Sequence, residues 1–309
     1  MIPPTSTRPL LAYGLLTTSA LMWGGNFTVG RYIHSQIAPG TLNLLRWSLV
    51  VLILLPFTFR ALHRQRELLF RHWRFIAALG VTGITLFHTF VYSALNWTGA
   101  VNATLIFTTI PMFIVAMSWV LFREPASMRQ FFGIVASMFG ALVVITRGDL
   151  GLVLTLEFNR GDLLMLIAVP NWALYSVLLR HRPAEIEPLV LVMSTGITGL
   201  ICQVPIALWE VVDQGWPALT TPVALSVGYV AVFAGVVAYL CWNRGVAEVG
   251  ANRAGLFLNL VPLFGALLAV VFLGESIYAF HWVGAALVGA GIYLSSSRTA
   301  LKSSRPQSP

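Results

Sequence analysis

The chain alternates between long apolar runs and short polar breaks. Crossing a bilayer takes about 20 mostly apolar residues in a helix. Read against that length, the runs predict ten membrane helices, near Leu10–Gly30, Thr41–Phe59, Phe75–Leu95, Val101–Phe122, Gln130–Thr146, Gly161–Leu179, Leu189–Glu210, Pro222–Asn243, Arg253–Leu273 and Ile277–Ser297. Several connections are short, so neighbouring helices must run antiparallel. The first apolar run follows Arg8 without a small-residue cleavage site, so it reads as a membrane helix rather than a leader. The Ser/Pro-rich stretch 298–309 predicts a disordered tail.

Basic residues favour cytoplasmic loops and thereby orient a bundle. With the N-terminal segment 1–9 placed in the cytoplasm, fifteen of the 19 Lys and Arg residues fall on the cytoplasmic side. Three (Arg31, Arg147, Arg160) fall outside, and Arg46 lies within the second span. This bias predicts a multi-pass protein of the cell (inner) membrane with both termini cytoplasmic. Composition agrees: 57% of the residues are hydrophobic and 10% charged, against about 25% charged in a soluble domain. A soluble fold is thereby excluded. The net charge of +8 sits mainly in inter-helix loops rather than on one basic stripe, so no nucleic-acid partner is expected. The two cysteines, Cys202 and Cys241, both fall in apolar segments, and the six histidines lack metal-ligand spacing. No cofactor or metal is expected.

A shift of 151 residues aligns Gly99 with Gly250, Ala103 with Ala254, Pro111 with Pro262, Phe113 with Phe264, Glu124 with Glu275, Gly133 with Gly284 and Gly140 with Gly291. Earlier, a shift of 149 aligns Trp23 with Trp172 and Arg31 with Arg180. Two five-helix repeats, 10–146 and 161–297, joined by a loop at 147–160, follow from this pattern. An odd number of spans per repeat inverts the second in the membrane, an arrangement that places a transporter's substrate site between the halves. Pro111 and Pro262 fall mid-span, where each is expected to kink its helix. The small residues Gly133, Ser137, Gly140, Gly284, Gly289 and Gly291 read as close helix packing within one protomer, so a monomer suffices.

The Trp23–Phe27 run, Arg46, and the Gly-Ala…Pro…Glu pattern of Gly99–Glu124 and Gly250–Glu275 resemble the EamA-type drug/metabolite transporter superfamily over about residues 10–297. Within it the chain most resembles the bacterial aromatic amino acid exporters. The resemblance implies an all-α integral membrane fold, ten helices in two inverted five-helix repeats around a central cavity, and export of metabolites or amino acids.

The residues restrict the chemistry. The single lysine, Lys302, lies in the tail, so no P-loop can form. Neither His-Glu-x-x-His nor Gly-x-Ser-x-Gly occurs, so no enzyme is expected. No carboxylate falls near a span centre, and Glu124 and Glu275 read as loop anchors, helix caps or partners of nearby arginines. His88 is the one group deep in a span that titrates near neutrality. It carries protons or, as we favour, packs in the cavity, and an exchanger driven by the substrate gradient is expected. Arg46 either binds a substrate carboxylate or fixes helix packing, and we favour the second. The i, i+4 pair His88 and Tyr92 and the i, i+3 pair Trp172 and Tyr175 each share a helix face. Together with Trp23, Asn26, Asn102, Tyr239, Asn243 and Asn259 they are the expected cavity lining. Trp97, Trp216 and Trp242 are instead assigned to interfacial belts. A lining rich in aromatics and amides but poor in charge favours an aromatic or large neutral amino acid, with amphiphilic drugs second. Nucleotide sugars would need several basic groups.

Overall fold

The computed structural model describes residues 9–155, 157–273 and 276–296. Their regular secondary structure is all helical, without strands among the described residues. In chain order the helices are α1 Pro9–Ile33, α2 Pro39–Arg64, α3 Arg66–Arg71, α4 Trp73–Gly80, α5 Phe87–Trp97, α6 Ala100–Phe107, α7 Ile110–Phe122, α8 Met128–Ile145, α9 Arg160–Arg180, α10 Pro188–Gln214, α11 Thr221–Ala231, α12 Ala238–Val249, α13 Ala251–Leu256, α14 Leu260–Leu273 and α15 Ala279–Ser296. The π-helical segments Val81–Leu86 and Val232–Val237 join α4 to α5 and α11 to α12. Eight stretches among the described residues are long and apolar enough to cross a membrane, and Ala279–Ser295 is a shorter apolar helix. The 25-residue α1 is not among the eight. Its Thr17, Thr18, Ser19, Gly24, Gly25 and Asn26 lower its mean hydropathy while it stays helical.

Local chemistry explains the helix ends. Ser127 and Gln130 form a capping box that starts α8, and Asn159 and Asp162 form another at α9. Prolines occupy the first turn of α2, α7, α10 and α11, where a missing N–H costs nothing. Gly250, at φ 87°, adopts the left-handed conformation that ends α12 before α13 begins.

These boundaries recur. The π segments start 151 residues apart, as do α6 and α13, and α8 and α15. Pro39 and Pro188 open α2 and α10, and Pro56 and Pro205 sit inside them, in both cases 149 residues apart. The expected kinks at Pro111 and Pro262 require correction. The chain leaves the helix at Thr108–Thr109 and in a 3-10 turn at Phe257–Asn259, and both prolines lie in the first turn of the helix that follows. Each span is therefore interrupted ahead of its proline, which has no intrahelical bond to break.

Helices α8 and α15 cross at glycines. A Cβ at Gly133 would lie 2.6 Å from the Gly291 carbonyl, and one at Gly140 would lie 2.7 Å from that of Gly284. Under the 151-residue shift these two contacts exchange, so the crossing is reciprocal. Helices α2 and α10 are joined by polar groups instead. The Glu210 carboxylate accepts the Gly40 and Thr41 amides at 2.8 and 2.7 Å and the Thr41 hydroxyl at 3.1 Å, capping α2 from a neighbouring helix. Gln203 links the Gly40 carbonyl to Asn43 and Thr89.

Candidate functional site

The two π segments place carbonyls where side chains from other helices reach them. Gly83 in the first accepts the Tyr239 hydroxyl at 2.5 Å. Ala234 in the second accepts the Trp23 indole at 3.0 Å and the Arg46 guanidinium at 2.8 Å. Gly83 and Ala234 are themselves 151 residues apart. Departures of this kind from the i→i−4 ladder are frequent at functional sites.

Around these carbonyls the aromatic side chains form one buried cluster. The Trp23 and Trp172 rings meet edge-on at 5.0 Å, and Tyr239 stands perpendicular to both. Trp47, Phe87, Tyr175, His88 and Trp242 complete the group, with centroid separations of 4.8 to 6.1 Å. Edge-to-face pairs at such distances are favourable beyond the area they bury.

Polar partners thread the cluster in two mirrored bonds. Tyr92 donates to Asn26 Oδ1 at 2.9 Å, and Tyr175 donates to Asn243 Oδ1 at 2.7 Å. The repeat shift carries Tyr92 onto Asn243 and Asn26 onto Tyr175, so the same bond recurs with donor and acceptor exchanged between halves. Only the first half adds a charge. Arg46 is 0% exposed and donates Nη1 to the Tyr92 hydroxyl at 3.0 Å. Here the packing reading of Arg46 has a visible basis, since its guanidinium ties α2 to α5 and to the second π segment.

Five buried donors here have no hydrogen-bond partner: Arg46 Nε, Asn243 Nδ2, and the indole nitrogens of Trp47, Trp172 and Trp242. One acceptor beside the cluster, Asn43 Oδ1, is left over in the same way, so the unpaired donors outnumber it five to one. The imbalance favours a guest that brings acceptors, because buried unpaired polar groups are costly.

A cavity of about 690 Å³ opens at the end of the bundle bearing Arg147, Tyr278 and His281, and it reaches inward to Gly24, Phe27 and Pro262. Beyond Phe27, Trp23, Asn26, His88 and Trp172 surround a void of about 20 Å³, scarcely room for one water. Phe27 lines both spaces and meets Phe107 edge-on at 5.2 Å, separating them. At the opposite end the halves are closed on each other. Phe122 stacks on His181 at 3.5 Å and Glu124 lies 3.5 Å from the same ring, while within the second half Arg180 donates to the Ala247 carbonyl. Arg182 nearby has its pKa lowered, first by burial and then by Arg244, with Glu248 opposing.

Trp23, Asn26, His88, Tyr92, Trp172, Tyr175, Tyr239 and Asn243 thus come together, and two other expected lining residues do not. Asn102 reaches toward Asp162 at 3.5 Å beside the cap of α9. Asn259 donates to Ser137 at the α8–α15 crossing. Glu124 has a histidine as its partner rather than an arginine, and Glu275 lies outside the described residues. Trp97 and Trp216 are 60% and 63% exposed, as befits an interfacial belt, whereas Trp242 is wholly buried in the cluster. Its position three residues after Tyr239, one turn along the same face, was the available signal. Phe27, four residues after Trp23, had a signal of the same kind, whereas Trp47, Phe87 and Phe107 had none beyond being aromatic.

A sequence profile of the EamA-like transporter family matches residues 10–146 and 159–297, which together make up most of the chain. The chain belongs to the EamA-like transporter family. It is accordingly a membrane transporter and not an enzyme. It is 28% identical over 292 residues to the uncharacterized transporter YyaM of Bacillus subtilis, covering 94% of each chain. It is 26% identical over 282 residues to a probable amino-acid metabolite efflux pump of Salmonella typhimurium, covering 89% of this chain and 91% of that one. A solved crystal structure superposes with a TM-score of 0.73 at 19% identity, covering 92% of this chain and 96% of the other, which supports the fold alone.

Proposed function

We propose that this transporter carries aromatic or large neutral amino acids by alternating access between two inverted five-helix halves of a ten-helix bundle. The observation that carries the reading is the buried aromatic cluster with its surplus of unpaired donors. Rings receive the side chain of such a guest, and Arg46 Nε, Asn243 Nδ2 and the indole N–H groups suit its carboxylate. The mirrored Tyr–Asn bonds and the reciprocal glycine crossing support the two-fold relation of the halves. A cavity at one end and closed contacts at the other are what one state of an alternating cycle presents. Transport proceeds across the inner membrane of a cell with both termini in the cytoplasm, and the efflux name of the Salmonella relative is in keeping with export of amino-acid metabolites.

Counterflow of phenylalanine and tryptophan in proteoliposomes tests the substrate. Trp172 touches Trp23, Phe87, Tyr175 and Tyr239, so Trp172→Ala removes the central stacking surface. One lost aromatic contact is worth about 0.5–1.5 kcal/mol, or roughly two- to tenfold in affinity. Flux of both amino acids is expected to fall by that factor at unchanged expression. Undiminished flux would remove Trp172 from the site and the aromatic reading with it.

A further inference from the structure

A second concavity, which shares no lining residue with the aromatic cluster, lies between the end of α2, the short α3, α4 and α10. It measures about 350 Å³, and its walls include Leu62, Leu69, Phe70, Ile76 and Ile197. Ser194 and Thr198 also line it, but each donates its hydroxyl to a carbonyl of its own helix, at 2.8 Å in both cases. The trough therefore offers an apolar guest no unpaired hydroxyl.

Its surroundings are strongly cationic. Arg60, Arg64, Arg66, Arg71 and Arg74 are all exposed within fifteen residues that contain one acid, Glu67. Arg64 is paired with Glu187, whereas Arg66, which lines the groove, has no ion pair among the described residues. The Arg74 guanidinium lies 5.6 Å over the ring of Trp73, itself a groove residue, which keeps that charge beside the trough. An apolar channel flanked by cations on the surface of a membrane protein matches an amphiphile with an acyl chain and an anionic head.

We propose that this groove binds an anionic phospholipid, with one acyl chain in the trough and its phosphate between Arg66 and Arg74. Lipid tails are as apolar as leucine, so chain contact alone selects no lipid over its neighbours. Selection comes from the head group, at about fivefold per arginine near the surface. Because α2 to α4 belong to the first repeat and α10 to the second, the lipid bridges the two halves of the chain.

Native mass spectrometry of the full chain, released from micelles containing phosphatidylglycerol and phosphatidylcholine of identical chains, tests this. The protein is expected to retain phosphatidylglycerol about 25-fold over phosphatidylcholine, about fivefold for each of the two arginines. Arg66→Gln should reduce that preference about fivefold, and Arg66→Gln with Arg74→Gln should abolish it. The Arg66→Lys, Arg74→Lys variant keeps both charges and should keep the preference, which separates charge loss from misfolding. Equal retention of the two lipids, an unchanged preference in the double glutamine variant, or full competition by inorganic phosphate alone would each overturn the proposal.

Discussion

The two Tyr–Asn bonds are mirror images in sequence position, but Tyr92 also accepts from Arg46 while Tyr175 has no such partner among the described residues, and that inequality can be measured. Tyr175→Phe removes a single bond, the 2.7 Å donation to Asn243, whose Nδ2 is already unpartnered. Interhelical hydrogen bonds in membrane proteins average about 0.6 kcal/mol and reach about 1.7, so a loss in that range is expected. Tyr92→Phe removes two bonds: the donation to Asn26 at 2.9 Å and the acceptance from Arg46 at 3.0 Å. A hydrogen bond to a charged group is worth about 1.5–3 kcal/mol, and Arg46 would retain only the Ala234 carbonyl while its Nε stays unpaired. The expected loss is therefore about 2–5 kcal/mol. Reversible unfolding of both purified variants in one detergent compares them directly. If Tyr175→Phe proved as costly as Tyr92→Phe, Arg46 would not be drawing stability from the Tyr92 hydroxyl, and the account of the buried charge would fail.

Two further outcomes test the frame around the site. Glu210→Gln leaves one acceptor oxygen for three donors and removes a negative charge from the start of α2. An unmet donor costs about 1–3 kcal/mol and the helix dipole adds about 0.3–1, so the melting temperature should drop clearly, and an unchanged one would deny Glu210 its capping role. For the inversion, single cysteines at Glu124 and Ser276 should react with an impermeant thiol reagent from opposite faces of the membrane, with Cys202 and Cys241 replaced. Labelling of both from one face would refute the two-fold relation between the halves.

Much of the site was legible as a list of residues, because the repeat shift and the i, i+3 and i, i+4 spacings place Trp23, His88, Tyr92, Trp172 and Tyr175 on related faces. Less legible was what each one touches. His88 and Tyr239 correspond under the shift, yet nothing in the sequence announced that the π segments bearing Gly83 and Ala234 would offer the carbonyls that Tyr239, Trp23 and Arg46 use. Asn102 and Asn259 were drawn elsewhere by partners distant in sequence, Asp162 and Ser137. Glu210, read as the edge of a span, caps a helix whose first residues lie about 170 positions earlier in the chain.

The membrane class and the repeat are one-dimensional properties. Length and composition of an apolar run decide whether a helix can cross a bilayer, and similarity at a fixed offset needs no coordinates to be seen. Which side of each helix turns inward is different. In a soluble helix the apolar stripe marks the buried face, but here lipid and interior are both apolar, so periodicity is nearly silent. The rotation of each helix is set by close glycine contacts, such as Gly133 on Gly291, and by polar groups that must find partners away from lipid. For that reason apolar periodicity did not separate Trp242, which the tertiary structure buries in the cluster, from Trp97 and Trp216, which it leaves at the surface.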